Sequence, residues 1–136
     1  QGAYAWHHFK YDRFVQLNDD FSGNQLPGVA PRSYTLMADI NHNSGWFAFA
    51  GLNHNSKIAL NDANTQYADD FQLLTMKLGY QRQIKNIPFQ LFLGADNLLN
   101  QTYSLGNDIN GFGGRYYNVA PSRSFYFGLK LGWIKR

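Results

Sequence analysis

The chain has 136 residues, a formal net charge of +3 and no cysteine. The absence of cysteine excludes disulfides, cysteine-bound zinc and thiol nucleophiles, and the thinly spread cations argue against a nucleic-acid groove, which needs clustered Lys and Arg. The hydrophobic residues make up 44% of the chain and include 11 Phe, 9 Tyr and 3 Trp, a composition that favours strands over helices.

Six segments of about ten residues alternate between apolar and other side chains, with polar stretches rich in Gly, Asn, Asp and Pro between them. Alternation with a period of two predicts β-strands. The predicted strands cover residues 2–14, 33–42, 45–56, 70–82, 88–99 and 121–133. Because the first residues already have the pattern of a strand, we expect the chain to be cut from a longer protein. The longest apolar run, Trp46 to Leu52, is far shorter than the roughly 18 residues of a transmembrane helix.

The alternation assigns faces to four of the six predicted strands. In the first and third strands both faces carry aromatic residues, which leaves the sides of Trp6, His7, Trp46 and Phe47 open. Elsewhere one face is apolar and the other mixed. We expect lipid contact for Leu74, Met76, Leu78, Leu91, Leu93, Phe127, Leu129 and Leu131, and a lumen-facing position for Thr75, Lys77, Gln81, Asp96 and Lys130.

The connectors between the predicted strands alternate in length. The stretches 42–45 and 83–88 are tight turns, whereas 12–32, 57–69 and 100–120 are long. A soluble β-sandwich gives the same alternation along its strands but has no reason to sort its loops by length. Short turns on one rim and long loops on the other are typical of a bacterial outer-membrane barrel, whose long loops lie outside the cell.

Four stretches of the chain resemble the C-terminal barrel of TonB-dependent receptors, in the family's order and spacing. In the third, Leu99 replaces the usual Phe of a recurrent asparagine-leucine-phenylalanine segment. The four stretches are Gly23 to Arg32, Asn61 to Asp69, Ala95 to Tyr103 and Gly114 to Arg123.

This resemblance implies an all-β fold, with residues 1–136 forming an antiparallel up-and-down transmembrane β-barrel segment. It would supply about six strands of a larger barrel of about 22 strands, closed by a plug domain outside these residues. The implied function is TonB-dependent uptake of a ferric siderophore or similar iron complex at the bacterial outer membrane. The implied partners are outer-membrane lipid, the rest of the barrel and its plug, TonB through the plug, and the barrel-assembly machinery.

Two other functions stay open at this point. One is a glycan or oligosaccharide importer of the same superfamily, and the other is an independent small outer-membrane barrel. No catalytic residues are predicted, because no Ser, His and acid set stands in a recognisable nucleophile context, and no cofactor is expected.

Candidate functional residues lie near the outer ends of the predicted strands. Tyr103, Arg115, Tyr116 and Tyr117 are candidates for substrate contact, although amphipathic rings there, including Tyr67, also suit an aromatic girdle at the headgroup level.

Relatives usually finish on an aromatic residue that the assembly machinery is thought to read, whereas Ile134, Lys135 and Arg136 follow Trp133 here. The predicted assembly signal is Phe125, Phe127, Leu129, Leu131 and Trp133.

Metal binding is not predicted. His7 and His8 point to opposite faces of a strand, and neither they nor His42 and His54 show metal-ligand spacing. The carboxylates Asp62, Asp69 and Asp70 could meet a calcium ion on the outer loops, but solvated loop charge is the simpler interpretation.

Overall fold

The computed structural model describes residues 1–132 and contains twelve β-strands within them. A single 3-10 turn, Phe112–Gly114, lies in the last long loop. No helix among these residues is long and apolar enough to cross a membrane. The strands are β1 Gly2–Trp6, β2 Val15–Gln16, β3 Asp19–Asp20, β4 Arg32–Asn41, β5 Trp46–Asn55, β6 Ile58–Ala59, β7 Tyr67–Ala68, β8 Phe71–Ile84, β9 Ile87–Asp96, β10 Ser104–Asn107, β11 Tyr117–Val119 and β12 Ser124–Leu131.

Six of these strands form one antiparallel sheet in the order β1-β4-β5-β8-β9-β12. Each strand therefore pairs with the long strand that follows it along the chain, which is an up-and-down meander. Within residues 1–132, β1 pairs only with β4 and β12 only with β9, so the sheet stays open at both edges. The predicted six-stranded antiparallel architecture is confirmed.

The first and last predicted strands are shorter in the structure than in the sequence-based prediction. The prediction of a strand over 2–14 was wrong beyond Trp6: the His7 amide donates to the Pro31 carbonyl at 2.8 Å, but proline has no N–H to return the bond. Only one isolated bridge, Lys10 to Gln25, follows in this segment. The last strand begins at Ser124, after Pro121, and its predicted end at Trp133 lies outside the described residues.

Two tight turns connect β4 to β5 and β8 to β9, at what we call the tight-turn rim. Gly45 adopts a positive φ of 102° in the first turn, and a Cβ at this position would collide with the backbone oxygen of Gln81. β8 continues past Trp46, the first residue of β5, and there pairs only with β9, as far as Ile84 and Ile87. Such staggered strand ends are expected when strands tilt in a barrel.

The strand register divides the sheet into two unlike faces. The face that we call apolar includes all the side chains predicted to contact lipid, and many of its large residues are well exposed, such as Leu93 at 67% and Phe127 at 78%. Trp6 and Trp46 also belong to this face, because Trp6 pairs with Arg32 and Trp46 with Tyr80. The opposite, polar face carries the residues predicted to face the lumen: Thr75, Lys77, Gln81, Asp96 and Lys130.

Aromatic rings on the polar face lie over glycines of the neighbouring strand. Phe47 is directly opposite Gly79, and Phe92 is directly opposite Gly128. A Cβ at either glycine would collide with the facing ring, so the rings occupy space that a side chain would otherwise fill. This packing settles the side of Phe47, which is buried on the polar face at 9% exposure.

Candidate functional site

Three long loops lie together at the opposite, long-loop rim. Loop 1 covers residues 7–31, loop 2 covers 56–70 and loop 3 covers 97–123. The sequence predicts them as plain connectors, but each contains a short two-stranded hairpin: β2-β3, β6-β7 and β10-β11 respectively. The most deeply buried side chains of the described chain are in loop 2, where Ala59 and Leu60 are 0% exposed.

Side chains bind loop 1 to loop 2. The Tyr11 hydroxyl donates to Asp62 Oδ1 at 2.6 Å. Asn64 makes two bonds to the Gln25 backbone, accepting from its N–H at 2.7 Å and donating to its carbonyl at 2.9 Å. Burial and the hydrogen bond to Asp62 raise the pKa of Tyr11 to about 12, so the phenol stays protonated at neutral pH and keeps donating.

The same carboxylate of loop 2 joins loop 3. Asn110 donates from Nδ2 to Asp62 Oδ2 at 2.7 Å and accepts from the Asp62 N–H at 3.1 Å. The Asn110 backbone N–H donates to the Leu60 carbonyl at 2.9 Å, and the Tyr117 hydroxyl donates to the Tyr67 carbonyl at 3.3 Å. Asp62 is therefore shared between loops 1 and 3, which makes the three loops one connected cluster.

Two cavities lie where this cluster meets the polar face. One of about 430 Å³ is lined by loop 2, the start of β8 and loop 3, and the other, of about 500 Å³, reaches across to loop 1. They share Ile58, Phe71, Ser104 and Asn107. Neither lining contains Lys or Arg, and the charged residue in contact with the first cavity is Asp69. Apolar walls with a few amide and hydroxyl groups are typical of small-molecule sites.

The structure brings together only part of the predicted substrate-contact set. Tyr103 and Tyr117 line the first cavity, whereas Arg115 and Tyr116 do not. Tyr103 also packs on Phe71 with ring centroids 5.2 Å apart. The sequence analysis did not identify Phe71 or Asn107 as cavity residues, and only their positions at the start of β8 and the end of β10 give them that role.

Two of the acidic residues of loop 2 have partners within the described part of the chain. Asp62 is bound by Tyr11 and Asn110, and Asp69 forms an ion pair with Lys57 at 3.5 Å. Among residues 1–132, no group of three or more His, Asp or Glu could hold a metal ion.

Asn97 anchors the start of loop 3 where β9 leaves the sheet. It is 5% exposed and has a positive φ of 49°. Its side chain accepts from the Gln101 N–H at 2.9 Å and donates to the carbonyls of Gln101 at 2.8 Å and Pro121 at 3.4 Å. The amide thus satisfies backbone groups that the strand ladder no longer pairs.

The residues predicted as an assembly signal lie along the last described strand. Phe125, Phe127, Leu129 and Leu131 all project from the apolar face of β12 and are exposed. Trp133 lies outside the described residues. Recognition by assembly machinery therefore stays a prediction.

Comparison with known proteins finds the same architecture. Residues 1–98 match the family model described as TonB dependent receptor-like, beta-barrel. A crystal structure of the siderophore receptor PiuA from Acinetobacter baumannii superimposes with a TM-score of 0.75 and 19% sequence identity. The match covers 94% of this chain and 18% of that receptor, so the chain spans less than a fifth of its length, and at this identity the likeness concerns the fold.

Proposed function

The chain belongs to the TonB-dependent receptor β-barrel family, and we propose that it forms adjacent strands of an outer-membrane receptor that imports a ferric siderophore or a similar iron complex. Members of this family are transport receptors rather than enzymes. In the proposed receptor the apolar face contacts lipid and the polar face lines the lumen. The long-loop rim lies outside the cell, and the tight-turn rim faces the periplasm.

The two unlike faces of the sheet support a membrane barrel most directly. Exposed large apolar side chains cover most of one face between the two rims, including Leu36, Ile40, Leu78, Leu93 and Phe127. A soluble protein rarely leaves an apolar surface of this extent uncovered. In a bilayer the same surface is favourable, provided that the backbone groups at both sheet edges are paired with further strands.

The cavities under the loop cluster support the binding of a small molecule on the lumen side. The larger cavity opens beside Ser33, Asn55 and Phe71, and strand register puts all three on the polar face. The siderophore in the name of the structural neighbour suggests an iron complex as the ligand. The plug and the rest of the barrel would supply the remaining walls, and TonB would act through the plug.

The test is uptake of radiolabelled iron by cells that carry or lack the full-length receptor, with and without TonB. Iron should be supplied separately as ferric trishydroxamate and ferric tris-catecholate complexes. We expect uptake of at least one complex to require both the receptor and TonB. The absence of any such dependence would contradict the proposal, and receptor-dependent uptake of oligosaccharides instead would establish the glycan importer.

A cavity variant makes the test specific to this part of the receptor. Tyr103→Ala removes the ring that packs on Phe71 and should reduce uptake by about two- to thirteenfold, the range of a lost aromatic contact of about 0.5 to 1.5 kcal/mol. Tyr4→Ala is the matched control, because Tyr4 is an exposed tyrosine of the apolar face. Equal losses in the two variants at equal surface expression would show that the cavity plays no part in binding.

A further inference from the structure

Arg32 is an exception on the apolar face. It pairs with Trp6 and begins the strand that continues to Tyr34 and Leu36 on the same face. Its side chain is exposed, and the single side-chain ion pair among residues 1–132 joins Lys57 to Asp69, which leaves Arg32 without a carboxylate partner. A guanidinium on a lipid-facing surface is least costly at the headgroup level, where its charged end reaches the interface.

A groove beside Arg32 is distinct from the two cavities of the polar face. It has a volume of about 590 Å³ and is lined by Gln25, Pro31, Arg32, His54, Ser56, Lys57, Tyr67 and Asp70. The Arg32 N–H donates to Ser56 Oγ at 3.0 Å, and the Ser56 N–H donates to the Arg32 carbonyl at 3.0 Å. These two bonds fix the base of the groove and place Lys57 next to it.

Aromatic rings put this groove at the expected depth of the outer headgroups. Tyr34 stacks on His54 with ring centroids 4.8 Å apart, and Trp6 lies opposite Arg32 on the adjacent strand. Amphipathic rings of this kind mark the boundary between hydrocarbon and headgroups. The cations of the groove are therefore positioned where lipid phosphates lie.

The charges of the groove favour an anion. Arg32 and Lys57 outnumber its one carboxylate, Asp70. The ion pair between Lys57 and Asp69 is solvent-exposed, with side-chain exposures of 62% and 91%, so it is weak and Lys57 can turn to a stronger partner. Arg binds phosphate through two parallel N–H bonds, whereas Lys contributes a point charge.

We infer that this groove binds the phosphate group of an outer-leaflet lipid, with Arg32 as the principal contact and Lys57 as the second. The inference rests on the membrane orientation in the proposed function. The lipid acyl chains would continue down the apolar face beside Leu36, and the phosphate would be held between strands β4 and β5 and loop 2.

Native mass spectrometry of the full-length receptor in detergent tests this site, with bisphosphorylated lipid A as the probe. Arg32→Gln should weaken lipid A binding about tenfold, because a neutral amide replaces the charge-assisted hydrogen bonds of the guanidinium, and Lys57→Gln should weaken it less. Arg82→Gln is the matched control, because Arg82 is an exposed arginine of the same face at the opposite, tight-turn rim. Its variant should bind lipid A like the unmodified receptor.

Two further probes separate the lipid from a simple ion. Dephosphorylated lipid A should bind equally to the unmodified receptor and to Arg32→Gln. Inorganic phosphate at millimolar concentration should leave lipid A binding unchanged; its full displacement of the lipid would show an anion site without lipid recognition. Equal lipid A binding by Arg32→Gln and Arg82→Gln would also overturn the inference. These measurements do not use an iron complex, so they test the lipid site separately from the proposed import of an iron complex.

Discussion

At the scale of single residues, Asn97 shows how one side chain fixes the path of a long loop. Its backbone is in the left-handed region, which asparagine tolerates better than other residues with a Cβ. Its amide also replaces three strand-ladder bonds at the point where β9 ends. Asparagine directly after a strand is typical of this role, but the partners Gln101 and Pro121 depend on the folded path of loop 3.

Substitutions at Asn97 should separate the backbone effect from the side-chain effect. Asn97→Gly keeps the positive φ but loses the amide bonds, so we expect the free energy of unfolding to fall by about 1 to 2 kcal/mol. Asn97→Ala adds the left-handed strain and should lower it by about 2 to 4 kcal/mol. Urea unfolding of the full-length receptor in lipid vesicles measures both.

Asn100 provides the control for this pair of variants. It also has a positive φ, 54°, but it is exposed and accepts one bond from the Arg123 N–H at 3.2 Å. Asn100→Gly should therefore change the stability by less than about 1 kcal/mol. If Asn97→Gly proved as mild as Asn100→Gly, the buried amide bonds would contribute little.

At the scale of elements, alternation along the chain was enough to predict the long strands, and it assigned faces to four of the six. β4, β5, β8 and β9 coincide with their predicted segments to within about three residues at either end. The period of two works because one face is mainly apolar, so a shift of the register by one residue would turn these apolar side chains to the polar face. The prediction from alternation failed past Trp6, because Pro31, the residue before the partner strand β4, has no N–H to continue the pairing.

The three loop hairpins could not be predicted in the same way. β6-β7 contains only two residues on each side, too few for a periodic signal. Its position depends on bonds to distant residues, such as those of Asp62 to Tyr11 and Asn110. Pairings of this kind connect residues 48 and 51 positions apart, and a single sequence gives no local trace of them.

Substitutions in β12 test which face of the sheet meets lipid. Leu129 belongs to the apolar face and pairs with Leu91 near the middle of β9, so Leu129→Arg should cost about 2 to 4 kcal/mol in a bilayer. Lys130 belongs to the polar face, and Lys130→Gln should cost less than about 1 kcal/mol. Both variants are measured by unfolding the full-length receptor in vesicles. Equal costs at the two positions would contradict the assignment of faces.

At the scale of the whole molecule, the described residues form an open sheet rather than a closed barrel. The six-stranded sheet has free edges at β1 and β12, and exposed strand edges recruit further strands. The open cavities on the polar face have one wall from this chain, and in the proposed receptor the plug and the opposing loops supply the others. The fold could be predicted from sequence because the alternating pattern of the strands is repeated along the chain. The site could not, because in the proposed receptor it also needs the plug and the opposing loops.

This incompleteness predicts a difference between the isolated chain and the full-length receptor. The refolded chain should bind ferric siderophore complexes more weakly than micromolar by isothermal titration calorimetry, because a single wall buries too little of the ligand to offset the cost of association. The full-length receptor, titrated with the same ferric trishydroxamate and ferric tris-catecholate complexes, should bind at least one of them tightly. The contrary outcome is that the isolated chain binds a complex at micromolar concentration and that Tyr103→Ala abolishes this binding. The principal contacts would then lie in the loop cluster itself. The Asp62 network, which already holds the three loops together without other walls, would then be the element that preorganises the site.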